Sequence, residues 1–129
     1  MRILAVDDEE DTCRFLKDLL TQAGHEVATA SSGLQALAAV QMIRFDAVLL
    51  DLMMPEVDGY QVIRSMTDHW VKRRVPVVVI SCRRDSNSRS FARVFGCSRY
   101  LEKPFRPEEL LQVLREIDLG REDTVPAGA

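Results

Sequence analysis

The chain has 129 residues, enough for one domain and too few for two of ordinary size. Hydrophobic residues make up 47% and charged residues 29%, a globular balance that excludes a fibrous or fully disordered chain. Net charge is −3 but unevenly spread: residues 1–60 hold 11 acidic and 4 basic side chains, and residues 82–106 hold 7 basic and 2 acidic, so the first half suits a cation and the later stretch an acidic partner.

Residues 3–6 are a short apolar strand that runs straight into Asp7, Asp8 and three further acids. So short a run, ended by acids, is not a signal peptide. No apolar stretch approaches the roughly 20 residues that cross a bilayer. Cys13, Cys82 and Cys97 are an odd number without C-x-x-C spacing, which reads as reduced thiols. The expectation is a soluble, cytoplasmic protein with no membrane partner.

Residues 11–23 place Phe15, Leu16, Leu19, Leu20 and Ala23 at helical spacing, and Gly24 is a natural stop. A second strand follows at 26–30. Ser32 then caps a second helix with Leu34, Leu37, Val40 and Ile43 inward. Residues 47–50 are the continuous apolar run of a strand buried on both faces. Residues 53–59 form a loop, and a third helix turns Val62, Ile63, Met66 and Trp70 inward. Residues 75–80 are strongly strand-like, with Pro76 at the start where a missing N–H is tolerated. A fourth helix carries Phe91, Val94 and Phe95 and stops at Gly96; a short fifth strand covers 99–101. Pro107 suits a first helical position, with Glu108 and Glu109 in the favourable first turn. Leu110, Leu111, Leu114 and Ile117 line the last helix, and Gly120 is predicted to end it before a polar tail, 121–129.

Five strand–helix units make an α/β protein with a parallel sheet and helices on both faces. Ligands of such sheets bind outside the carboxyl ends of the strands. The residues there are unusual: Asp7 and Asp8 after the first strand, Asp51 after the third, Ser81 after the fourth, Lys103 and Pro104 after the fifth. Three carboxylates brought together repel one another, and a hard divalent cation relieves this. Lys103 and Ser81 suit a phosphoryl group, and a carboxylate can serve as the nucleophile. Singly, each residue is an ordinary helix-start acid, loop acid, cap or surface lysine. The joint occurrence carries the signal.

Four segments, ILAVDDE (3–9), DAVLLDLMMPEVDGY (46–60), PVVVIS (76–81) and YLEKPF (100–105), resemble the receiver domains of bacterial two-component response regulators, the family of the chemotaxis regulator. The resemblance spans residues 1–119 and leaves 120–129 as a disordered tail or the start of a linker. It implies a doubly wound, flavodoxin-like (β/α)5 fold with strand order 2-1-3-4-5. It implies Asp51 as phosphoacceptor, Asp8 as a direct Mg²⁺ ligand, Asp7 as a ligand through water, and Met53 as a ligand through its backbone carbonyl. Ser81 matches the hydroxyl that moves to the phosphoryl group, and the Cys82 amide also reaches that group. Lys103 matches the phosphate-pairing lysine, before a proline that the family holds in a cis bond. Tyr100 matches the aromatic that swings inward as Ser81 moves.

The implied partner is a histidine kinase or phosphotransfer protein. The face built from the fourth helix, fifth strand and fifth helix would switch, and would carry a partner or a second receiver. The domain would catalyse only its own phosphorylation and dephosphorylation. Cys82, Arg83, Arg84 and Phe95 depart from the family's usual smaller residues on or near that face. Two other readings compete: an aspartate-nucleophile phosphatase, which wants a second acid where this chain has Met53, and a receiver fold that acts only as an interaction module. Direct nucleic-acid binding is not expected, because no recognition-helix pattern accompanies the arginines.

Overall fold

The computed structural model describes residues 1–51, 68, 72–73, 75–81 and 98–128. Five strands, β1 (Arg2–Val6), β2 (Glu26–Ala30), β3 (Ala47–Asp51), β4 (Val77–Ser81) and β5 (Arg99–Glu102), pair in parallel in the order β2-β1-β3-β4-β5. The fold class and strand order are those expected. β1 and β3 are buried along nearly their whole length, and alternate residues feed two cores. Ile3, Ala5, Ala47, Leu49, Val78 and Ile80 pack to one side; Leu4, Val6, Val48, Leu50, Val77 and Val79 pack to the other. That is why these strands read as unbroken apolar runs.

α1 (Glu10–Gln22) and the C-terminal helix (Pro107–Gly128) cover the first side through Leu16, Leu20, Leu110, Leu114 and Ile117. α2 (Gly33–Met42) covers the other through Ala36 and Val40. Local signals set their ends. Gly24 has a positive φ of 95°, and the N–H groups of Gly24 and His25 donate to the carbonyls of Thr21 and Leu20, closing α1 in a Schellman motif. The Ser32 hydroxyl accepts from the Gln35 N–H at 3.2 Å, as a cap should. At the C-terminal helix the Glu109 carboxylate accepts from the Arg106 N–H at 3.1 Å, with Pro107 next in sequence.

Three expectations change. Phe15 is not inward: it is 47% exposed, because the buried stripe of α1 is Cys13, Leu16 and Leu20, and Phe15 lies a quarter turn away from Leu16. Leu34 is 69% exposed and Ile43 also faces water, because α2 turns Gly33, Ala36 and Val40 to the sheet. Nearly every residue of α2 is apolar, so spacing alone allowed either stripe. The last helix does not stop at Gly120: helical backbone continues to Gly128, over the stretch expected to be a tail. Gly120 keeps a helical backbone there, and a lone interior glycine costs about 1 kcal/mol relative to alanine, which a long helix absorbs. The third and fourth helices, the 53–59 loop and the face around the fourth helix lie outside the described residues. Among the described residues, no helix is long and apolar enough to cross a membrane.

Leu50 is fully buried between β1 and β4, so Leu50→Ala should destabilise by about 2–5 kcal/mol. Leu34→Ala, on the water-facing side of α2, should change stability by less than about 0.5 kcal/mol. Urea midpoints of the two variants check the assignment; equal losses would mean that α2 is turned the other way.

Candidate phosphoacceptor site

Strand register builds the site. Val6 pairs with Leu50, so Asp7, just past β1, comes beside Asp51 at the end of β3. Asp51 pairs with Ile80, and Ser81 pairs with Glu102, one residue before Lys103. Four strands therefore deliver Asp7, Asp51, Ser81 and Lys103 to one edge.

Asp7 and Asp51 are buried, at 2% and 4% exposure, while Asp8 faces solvent. Burial of two carboxylates needs compensation, and Lys103 provides it. Its Nζ donates to Asp7 Oδ2 at 3.2 Å and to Asp51 Oδ2 at 3.3 Å. Burial alone would lower the Lys103 pKa, but Asp51 and Asp7 more than offset it, so the group is held above its ordinary value and stays charged. The remaining Asp7 oxygen, Oδ1, accepts the Glu9 N–H at 2.9 Å, and the Asp7 N–H donates to the Ala30 carbonyl at 3.0 Å. Asp7 is thus fixed in orientation from three directions. The Lys103–Pro104 peptide bond is cis.

One carboxylate oxygen from each of Asp7, Asp8 and Asp51 lies within 4.8 Å of the others. An all-oxygen, trianionic set suits a hard divalent cation such as Mg²⁺. The site is an acidic pocket compatible with divalent metal binding. Of the other residues expected here, Tyr100 lies on β5, partly buried against the Val79 core, and Ser81 ends β4. Met53 and Cys82 lie outside the described residues.

Two features escaped the sequence reading. The Cys13 thiol sits beneath the β1–α1 turn and donates to the Asp7 carbonyl at 3.3 Å; burial, then the Asp7 charge, push its pKa up, so it stays a neutral thiol. The signal was available, since Cys13 precedes Leu16 and Leu20 by three and seven residues. The second is a groove of about 470 Å³ beside Lys103, lined by Glu9, Asp11, Thr12, Phe15, Lys103, Pro104 and Phe105. It depends on Phe15 pointing outward, which periodicity did not reveal.

The profile of the response regulator receiver domain matches residues 3–115. The chain belongs to the response regulator receiver family. The receiver is 30% identical over 115 residues to protein PilG of Pseudomonas aeruginosa, covering 89% of this chain and 85% of that protein. It is 36% identical over 126 residues to the DNA-binding response regulator MtrA of Mycobacterium tuberculosis, covering 98% of this chain but 54% of MtrA. The receiver thus spans about half the length of such relatives. In structure it resembles the chemotaxis protein CheY4 of Vibrio cholerae, with a TM-score of 0.81 at 30% identity, covering 90% of this chain and 97% of that one.

The double ion pair of Lys103 generates a prediction about metal. A cation entering beside Asp7 and Asp51 meets the positive charge of Lys103, so that charge weakens metal binding. Lys103→Met should cost about 1–3 kcal/mol in a chelator, because two buried carboxylates lose their cation. Added Mg²⁺ should then stabilise the variant more than the parent. Thermal melts with EDTA and with Mg²⁺ read both effects; an equal gain in both proteins would show that Lys103 does not compete with the metal.

Proposed function

We propose that this receiver is a phosphoacceptor in two-component signalling, with Asp51 taking the phosphoryl group from a histidine kinase or phosphotransfer protein. The observation that carries the reading is the convergence of Asp7, Asp8, Asp51 and Lys103 at one sheet edge, with Asp51 held against Lys103 at 3.3 Å. Lys103, which pairs with the buried Asp51, also lines a groove that a partner could enter.

In this reading an Asp51 carboxylate oxygen attacks phosphorus in line. An acyl phosphate bond forms as the bond from phosphorus to the donor nitrogen breaks. Lys103 gives its N–H bonds to the phosphoryl oxygens as they gather charge. Asp7, Asp8 and Asp51, with the Met53 carbonyl, would hold Mg²⁺, which supplies further neutralisation of that charge. Ser81 and the Cys82 amide meet the phosphoryl group on the product. Tyr100, at the boundary of core and surface, follows Ser81 and changes the face formed by β5 and its flanking helices. That face would then meet a downstream partner or a second receiver. The groove with Phe15 and Phe105 offers an apolar landing place beside Lys103 for a helix of the phosphodonor. Residues 1–119 would form the receiver proper. The expectation of a cytoplasmic protein without nucleic-acid contacts of its own fits this role.

Intact mass after incubation with acetyl phosphate tests the proposal. With Mg²⁺ the chain should gain one phosphoryl group; without Mg²⁺, or with Asp51→Asn, it should gain none. A folded protein that stays unmodified under all conditions would favour a receiver fold acting only as an interaction module.

A further inference from the structure

We infer that Cys13 is a positioning residue for the cation pocket: its thiol holds the Asp7–Asp8 peptide so that both carboxylates serve one ion. The inference rests on the proposed reading of Asp7, Asp8 and Asp51 as a divalent-cation site, and it names a group that acts behind that site. Asp7 is 2% exposed, so its backbone carbonyl is shielded from water and needs a donor. Among the described residues that donor is the Cys13 thiol, at 3.3 Å. The same carbonyl belongs to the peptide that joins Asp7 to Asp8. Peptide units are planar, so a bond that fixes the carbonyl also fixes the direction in which the chain leaves Asp7 for Asp8. Both of these residues contribute an oxygen to the three carboxylates that lie within 4.8 Å of one another.

The thiol closes a small ring of contacts. The Cys13 N–H donates to the Glu9 carbonyl at 3.1 Å, the Glu9 N–H donates to Asp7 Oδ1 at 2.9 Å, and the Cys13 S–H returns to the Asp7 carbonyl. The first turn of α1 is thereby tied to Asp7 twice, at its backbone and at its carboxylate. From the β2 side the Ala30 carbonyl accepts the Asp7 N–H at 3.0 Å and lies 4.0 Å from the Cys13 sulfur. An apolar side chain of similar size would fill the space under the turn and leave the Asp7 carbonyl without this donor. A buried carbonyl left so is costly, and the peptide turns to relieve it, carrying the exposed Asp8 with it. Packing and positioning are therefore separable roles: a Cys13 that only fills the core needs volume, and a Cys13 that positions the pocket needs a donor.

Mn²⁺, a cation that shares the oxygen preference of Mg²⁺, is the probe. Electron paramagnetic resonance reads free Mn²⁺ as the ion is titrated into the full chain, and urea midpoints of the same proteins read stability. Cys13→Ser keeps a donor but loses bulk and apolar character; it should bind Mn²⁺ within about twofold of the parent while being the less stable protein. Cys13→Val keeps the volume and loses the donor. It should bind about three- to tenfold more weakly, at or below the low end for a lost ligand-supporting contact, because a thiol is a weak donor. Cys13→Ala, which loses the donor without the crowding of a branched side chain, should bind as weakly as Cys13→Val. Parent affinity in Cys13→Val and Cys13→Ala, or affinities that follow the urea midpoints instead of the donor, overturn the inference and leave the cation pocket standing. A parent chain that binds no Mn²⁺ overturns the pocket and the inference together.

Discussion

Three carboxylates at one edge of a sheet repel one another, and the protein buries two of them. That repulsion must be met by positive charge, and the described structure meets it with Lys103, shared between Asp7 and Asp51. A shared lysine is a poor permanent solution, because one ammonium faces two anions. The acidic pocket of Asp7, Asp8 and Asp51 is compatible with a divalent cation.

The fold makes this tension possible at low conformational cost. Each candidate site residue sits at or just past the end of a strand, so backbone pairing places it without long flexible loops. A shift of one residue in β3 would turn Asp51 toward the opposite face of the sheet and invert its apolar alternation. The two cores on either side of the sheet thus hold the register, and the register holds the site. Further along the same logic, Cys13 and Glu9 secure Asp7 from below and from the side.

Most of the site was legible in the sequence because strand ends are legible. The run Ala47–Asp51 shows where burial stops and polarity begins, and the same reading applies to Asp7 and Lys103. Helix orientation was harder. In α1 the choice between a stripe through Phe15 and one through Cys13 depends on which side packs on the sheet. In α2 an almost wholly apolar sequence gives no phase at all. Small residues, Gly33 and Ala36, took the inner side because they let the helix lie close to the strands, a packing preference that hydrophobic counting does not register. Gly120 misled for a related reason: a glycine predicts a helix end only where the following residues adopt the left-handed closure, as Gly24 does.

Membership of the receiver family places this chain among signalling domains, and the proposed function assigns the reaction to Asp51. The most direct test is the position of the phosphoryl bond. After labelling with acetyl phosphate and Mg²⁺, borohydride reduces an aspartyl phosphate to homoserine, and peptide mass mapping locates it. Conversion at Asp51 alone, and only when both reagents were present, is the predicted result. Conversion at Asp7 or Asp8, or a label that resists borohydride, would contradict the account.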